Sequence, residues 1–237
     1  MTAVEISEVL AIPVSTVSLW LKRIGLGKRS SLAPVEPVVR YERATPGELV
    51  HVDIKRLGRI SARGAGHRVL GHVRSKHRLK SRGKQISMTG YEYVHVMIDD
   101  HTRLAYAEVL DGLRQEHAIS FLRRALAWFN QRGVQIKELM SDNGSCYVSH
   151  SYRDTLQRLG IHHQRIKPGR PQTNGKAERF IQTLQNEWAY NHIYGSSTER
   201  TNALPDYLNH YNYTRSHNAL GKQPPATRLN NLTRNYT

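Results

Sequence analysis

Three carboxylates in this chain, Asp53, Asp142 and Glu178, stand where strand and helix ends could bring them together. Three close carboxylates cannot all stay ionised without a cation. Hard oxygen ligands with no cysteine pattern nearby favour Mg²⁺ or Mn²⁺ over zinc. Two such ions, roughly 3.5–4 Å apart, can activate an attacking oxygen and stabilise a leaving oxygen in phosphodiester chemistry. Each acid alone has a plainer reading: most Asp-Asn-Gly triplets are turns, and a glutamate early in a helix favours the helix dipole. Asp99 and Asp100 are the rival first acid; they are set aside because Asp99-Asp-His-Thr102 reads as a hairpin tip away from those strand ends. His162 and His163 have no partner at metal-ligand spacing, so zinc is not expected.

The elements that must position these acids show as periodicities. From Glu48 to Lys55 the chain alternates, with Val50, Val52 and Ile54 on one face and His51, Asp53 and Lys55 on the other. Residues 91–98 and 104–110 predict two more strands around the Asp99 turn. Residues 115–132 predict a helix with Ala118, Phe121, Leu122, Ala125, Leu126 and Phe129 on one side, stopped by Gly133. A short strand over 136–140 runs into Ser141-Asp-Asn-Gly144. A helix over 150–159 stops at Gly160, and a last strand covers 161–166. After the rigid loop Pro168-Gly-Arg-Pro171 a long helix begins near Asn174. Its buried stripe is Ala177, Ile181, Leu184 and Trp188, with Glu178 at the border. The order β-β-β-α-β-α-β-α is an α/β fold, a mixed sheet flanked by helices. Open sheets of this class place their sites beyond the C-terminal strand ends.

Charge points to the substrate. Among 237 residues, 35 Lys+Arg face 19 Asp+Glu, a formal charge of +16. That excess calls for an anionic partner, of which nucleic acid is the commonest. Between Lys55 and Lys84 stand 11 Lys/Arg, 3 His and no acidic residue. Gly58, Gly64, Gly66, Gly71 and Gly83 make the segment a poor helix. It reads as a long basic loop that contacts the phosphate backbone, or else as a solvated insertion with no specific contact. Val69, Leu70 and Val73 are too few for a core. The segment is therefore expected to be mobile alone and ordered against DNA through Arg74, Lys76, Arg78, Lys80, Arg82 and Lys84.

Composition excludes other classes. No run approaches the roughly 18–20 apolar residues of a membrane span, and Met1-Thr-Ala-Val-Glu lacks the layout of a signal peptide. The single Cys146 excludes an internal disulfide framework and suits a reducing cytoplasm, with the protein on the nucleoid. The length fits one main domain and a smaller appendage.

That appendage is N-terminal. Residues 5–10 read as a helix, Ala11-Ile-Pro13 as a turn, and Ser15 as the cap of a second helix through Leu21. Val17, Trp20, Leu21 and Ile24 would form its buried stripe, leaving Thr16, Ser18, Leu19 and Lys22 outward. This is the layout of a helix-turn-helix, whose second helix enters the major groove. Two short helices around a proline turn also occur in domains that bind no DNA. The expected organisation is a partial helix-turn-helix over 1–28, a linker over 29–42, a catalytic domain over 43–218 containing a basic insertion over 55–90, and a tail over 219–237.

Asp142 and Glu178 are separated by 35 residues. Ahead of Glu178 stands Gly169-Arg-Pro-Gln-Thr-Asn-Gly-Lys-Ala-Glu-Arg179. Near the C-terminus stands Tyr211-Asn-Tyr-Thr-Arg-Ser-His-Asn-Ala-Leu-Gly221, followed by Pro224-Pro225. Over about residues 40–230 these motifs resemble the catalytic core of retroviral-integrase-type DDE transposases, those of bacterial insertion sequences. The resemblance implies an RNase H-like, five-stranded mixed sheet. It implies that Asp53, Asp142 and Glu178 are the catalytic, metal-binding triad for two Mg²⁺ or Mn²⁺ ions. It implies cleavage of double-stranded DNA at transposon ends, transesterification into target DNA, and a homo-oligomer gripping two ends. Lys176, and Gln182 and Gln185 four and seven residues beyond Glu178, are expected to touch DNA near the cut. Two features depart from the family: the interval from Asp53 to Asp142 is long, and the helix-turn-helix part reads as cut short. The competing expectations are a truncated or domesticated DNA-binding protein, and a nuclease that cleaves without joining.

Overall fold

The structure, a computed structural model, describes residues 2–27, 42–60, 78–81, 84–87, 90–166 and 174–230. The chain divides into two compact units, Met1–Tyr41 and Glu42–Thr237.

The first unit holds α1 (Ala3–Leu10) and α2 (Val14–Arg23). A capping box starts α1: Glu5 N donates to Thr2 Oγ1 at 3.3 Å, and Thr2 N donates to Glu5 Oε2 at 2.6 Å. Two expectations fail here. Pro13, not Ser15, precedes α2, so Ser15 lies inside the helix. The stripe is not a buried one: Val17 is buried, but Trp20 and Ile24 are 49% and 66% exposed. Two short helices bent at 117° have too little surface to enclose a four-residue stripe between them.

The second unit is built on a five-stranded sheet of order β5-β4-β1-β6-β7. Its strands are β1 (Val50–Gly58), β4 (Tyr91–Asp99), β5 (Ala105–Leu110), β6 (Glu138–Ser141) and β7 (His162–Arg165). The pairs β1–β4 and β4–β5 are antiparallel, while β1–β6 and β6–β7 are parallel. A separate antiparallel hairpin, β2 (Arg78–Ser81) with β3 (Lys84–Ser87), lies within the basic segment. The long basic loop expected between Lys55 and Lys84 is corrected accordingly. Strand β1 runs on to Gly58, and Leu79 and Ile86 are cross-strand partners that a reading based on charge passes over.

Period-2 alternation buries both faces of the sheet. Val50, Val52 and Met97 join Phe121, Leu122 and Phe129 of α3 (Gln115–Asn130) and Tyr152 and Leu156 of α4 (His150–Arg158). Leu57, Val94, Val96 and Ile98 join Ala177, Phe180, Ile181 and Leu184 of α5 (Gly175–Leu184). Each such side chain stabilises the fold by about 1.5–3 kcal/mol on burial. Gly133 and Gly160 end α3 and α4 at φ 75° and 68°, as expected. Helix α5 passes into a π turn (Gln185–Ala189) that buries Trp188. After it come α6 (Ser197–Asn202), α7 (Leu204–Tyr213) and α8 (Thr227–Asn230). Residues 219–230, expected as a tail, pack into the unit: Leu220 is buried, and Ala226 and Leu229 touch the first core. Among the described residues no single helix is long and apolar enough to cross a membrane.

Candidate active site

Asp53 lies on the face of β1 that α5 covers, opposite Val96 of β4. Asp142 follows β6, the next strand over. The two acids line one cleft of about 260 Å³, together with Arg56, Tyr93, Cys146 and Tyr147. Gly144 N donates to Asp142 Oδ1 at 2.8 Å. A Cβ on Gly144 would stand 2.9 Å from that oxygen, so the Asp-Asn-Gly turn needs glycine to hold its carboxylate this way. Asp53 Oδ1 accepts the N–H of Ile54 at 2.7 Å. Burial pushes the Asp53 carboxyl up to about 6, and the charges of Asp142 and Glu178 add to the rise. Glu178 is exposed on the first turns of α5, within electrostatic reach of Asp53 but off the cleft wall. Among the described residues no three His, Cys, Asp or Glu side chains converge as a ready metal site. Asp53 and Asp142 share a cleft, and Glu178 stands on the neighbouring helix.

A second set of polar residues, not anticipated from the sequence, fixes where α5 begins. His51 and Asp100 are fully buried. Asp100 Oδ1 meets His51 Nε2 at 2.8 Å and pairs with Lys176 Nζ, while Asp100 Oδ2 accepts Arg43 N at 2.7 Å. Asn174 Nδ2 donates to Val52 O at 3.2 Å, which turns Asn174 Oδ1 toward His51 Nδ1, also at 3.2 Å. Burial alone would raise the Asp100 carboxyl. The hydrogen bonds from His51, Lys176 and Arg43 outweigh it and hold Asp100 well below the usual carboxylate range. Asn174 and Lys176 belong to the Asn-Gly-Lys-Ala-Glu motif, so this network ties the start of the Glu178 helix to β1. Asp99 is equally buried: it accepts Thr102 N at 2.7 Å and Gly47 N at 2.8 Å. The hairpin turn between β4 and β5 is as expected, and both acids are buried in it. Both carboxylates are already satisfied by donors within the fold.

The expected DNA contacts are scattered. Ser18 and Lys22 are exposed on α2, and Thr16 is half-buried. Arg74, Lys76 and Arg82 lie outside the described residues, as does the loop 167–173; Arg78 and Lys80 fall on β2 and Lys84 on β3. Lys176 is ion-paired to Asp100. Gln182 is exposed and accepts Arg179 NH1 at 2.8 Å, while Gln185 opens the π turn and is half-buried. Arg56 on the cleft wall stacks over Tyr91 at 4.4 Å, and its place on β1 three residues beyond Asp53 could have marked it.

Family models described as integrase core domain match residues 44–171 and 159–225. The chain belongs to the integrase core domain family. Its relatives include the candidate integrase ORF3 of Spiroplasma virus SpV1-C74, 33% identical over 60% of this chain and 42% of that one. Another is the transposase InsD of insertion element IS2 from Escherichia coli, 29% identical over 39% of this chain and 31% of that one. The chain thus spans less than half the length of these relatives. The catalytic core domain of BIV integrase superposes with a TM-score of 0.54 at 18% identity, covering 81% of this chain and 99% of that one. At that identity the likeness shows the fold alone: an integrase-type, RNase H-like mixed sheet.

Proposed function

We propose that the chain is a DDE transposase of an insertion sequence that cleaves DNA at the element's ends and joins them to target DNA. The supporting observation is the cleft shared by Asp53 and Asp142, where Asp53 also feels the charge of Glu178. The donor set fits a divalent ion. It is all carboxylate oxygen, and positive charge would offset the burial, and the lesser repulsion from Asp142 and Glu178, that lift Asp53. Asp53, Asp142 and Glu178 would hold two Mg²⁺ or Mn²⁺ ions, which supply charge neutralisation at the reacting phosphate and activation of the attacking oxygen. In strand transfer the 3′-hydroxyl oxygen of the element forms a bond to a target phosphorus, and the target's 3′-oxygen leaves with the electron pair. The chain's own part is to hold the acids in place: Gly144 fixes Asp142, and the His51–Asp100 network fixes α5. Arg56 offers a cation at the cleft wall. DNA contacts by Thr16, Ser18, Lys22, Gln182, Gln185 and the basic segment, and assembly as a homo-oligomer on two DNA ends, are parts of the same proposal.

The test is strand transfer from pre-cut ends in Mg²⁺ or Mn²⁺. Asp53→Asn, Asp142→Asn and Glu178→Gln each keep side-chain shape and remove a ligand charge. Each is expected to abolish joining while DNA binding persists. Normal activity in any one variant removes that residue from the triad. Binding without joining by the unaltered chain would leave a DNA-binding protein, and cutting without joining a nuclease.

A further inference from the structure

A second cleft of about 530 Å³ borders α5 and shares no lining residue with the Asp53–Asp142 cleft. Lys176, Arg179 and Thr183 of α5 wall it, with Arg103 from the β4–β5 turn and Arg215 and His217 from the segment after α7. The Tyr-Asn-x-x-Arg-x-His element, which the proposed chemistry does not use, therefore ends at this cleft. Its described lining contains four Lys/Arg and no acidic residue.

Some of this charge is already paired. Arg103 NH2 meets Glu42 at 2.7 Å, Arg215 NH2 meets Glu187 at 2.6 Å, and Lys176 meets Asp100. Glu42 is nevertheless shared with Arg228, and Arg179 adds a further charge, so cations remain in excess among the described residues. Two guanidinium groups have donors to spare. Arg179 is exposed and donates NH1 to the neutral Gln182 amide, with no ion pair among the described residues. Arg103 has a buried NH1 with no hydrogen-bond partner among the described residues. Arg103 also sits at φ 65°, in the left-handed region that disfavours any residue with a Cβ. The turn thus carries an arginine where glycine would be unstrained, and its side chain reaches the cleft.

We propose that this cleft seats a phosphate of the DNA backbone, with Arg103 and Arg179 as its two direct donors and Lys176 and Arg215 as fixed flanking charge. Planar guanidinium forks match phosphate oxygens in pairs. Arg179 follows Glu178 directly on α5, so a phosphate held here fixes a DNA strand relative to the candidate triad. The inference rests on the DNA-joining reading above.

The experiment measures binding of a random-sequence duplex across a salt series without divalent metal, in an Asp53→Asn background, where joining plays no part. Arg103→Gln/Arg179→Gln should weaken binding and flatten the log–log salt slope by roughly 0.9 for each phosphate that is no longer neutralised. Arg153→Gln/Arg158→Gln, exposed on α4, removes the same net charge and should leave the slope unchanged. Arg103→Lys/Arg179→Lys should keep the slope and recover part of the affinity. Arg179→Gln alone, at an exposed position, serves if the double variant loses its fold. Equal slopes for the cleft pair and the α4 pair would overturn the proposal. So would an acidic peptide that binds the unaltered cleft without competing with DNA. If the unaltered chain joins ends while the cleft pair changes nothing, this inference alone falls. If it binds DNA with the expected slopes but joins nothing, the chemical reading falls and the phosphate seat stands.

Discussion

Asp53 lies on β1 and Asp100 packs against it, and burial would raise the pKa of each. Asp100 is the more deeply buried, yet its carboxyl is held well below the usual range, while the half-buried Asp53 rises to about 6. The neighbours account for the difference. Asp100 receives an imidazole, an ammonium and a backbone N–H. Asp53 has one adjacent N–H and two further carboxylates within electrostatic reach. A buried acid saturated with donors has no capacity left for a cation and serves the fold. An acid that is buried with few donors and faces other carboxylates is destabilised as an anion, and in the proposed function positive charge relieves it.

The largest effects should come from neutralising each acid in turn. Asp53→Asn is expected to bring strand transfer to background and to leave the melting temperature equal or higher, because it removes mutual repulsion. Asp100→Asn should do the reverse first: it strands His51 and Lys176, and breaking such a buried pair costs about 3–5 kcal/mol. Thermal unfolding and a joining assay on both variants check the pair. Similar profiles for the two would dissolve the distinction.

A smaller effect tests how the network acts on the site. His51→Gln and Asn174→Ala should loosen the start of α5 and displace Glu178. A misplacement near 1 Å costs on the order of 10²-fold in rate. The joining rate should therefore fall by about 10- to 10²-fold at unchanged DNA affinity, measured as single-turnover rate against equilibrium binding. A loss of affinity with no loss of rate would instead make these residues part of the DNA surface.

Acid titration sharpens the same contrast. The folded Asp100 pKa is depressed, so its stabilisation is full above the unfolded value of about 3.9 and is lost as pH falls through the folded one. Unfolding free energy followed from pH 5 downward should drop steeply in the unaltered protein. The slope should be shallower in Asp100→Asn, and an unchanged acid limb would show that the network contributes nothing through that carboxylate.

Asp53 is legible in the sequence because its strand alternates, and β1 pairs along its whole length with β4. The α5 stripe is legible because Ala177, Ile181, Leu184 and Trp188 recur at helical spacing, and all four are buried. The His51–Asp100–Asn174–Lys176 network is not, since its members come from three segments that no local period relates. The sequence sets Asp99 and Asp100 aside by their position in the chain; that both carboxylates are buried and saturated with donors shows only in the structure. The α2 stripe misleads because helical spacing shows which residues share a face, not whether anything covers it. The β2–β3 hairpin is hidden by cations and glycines around a single apolar pair.

The smallest predicted effect lies beneath Asp142. Ser141 Oγ lies 2.9 Å from both Asp142 O and His163 Nε2; where its one hydrogen goes to Asp142 O, His163 Nε2 is the donor to Oγ. Burial pushes the His163 imidazole down to about 4, with the charges of Arg165 and His162 lowering it further. The unfolded ring takes its proton near 6.5 and the folded ring only near 4. Between those values the unfolded state binds more protons, so stability falls as pH drops from 6.5 to 4 and is undiminished above 6.5. His163→Gln keeps an amide donor toward Ser141 and removes the titration. Its unfolding free energy should be flatter than the parent's across that window and equal to it in shape above pH 7. Nitrogen chemical shifts of the parent should place the single proton on Nε2 at neutral pH. A proton on Nδ1, or identical pH profiles for parent and variant, would mean that the strand end under Asp142 is not held through this imidazole.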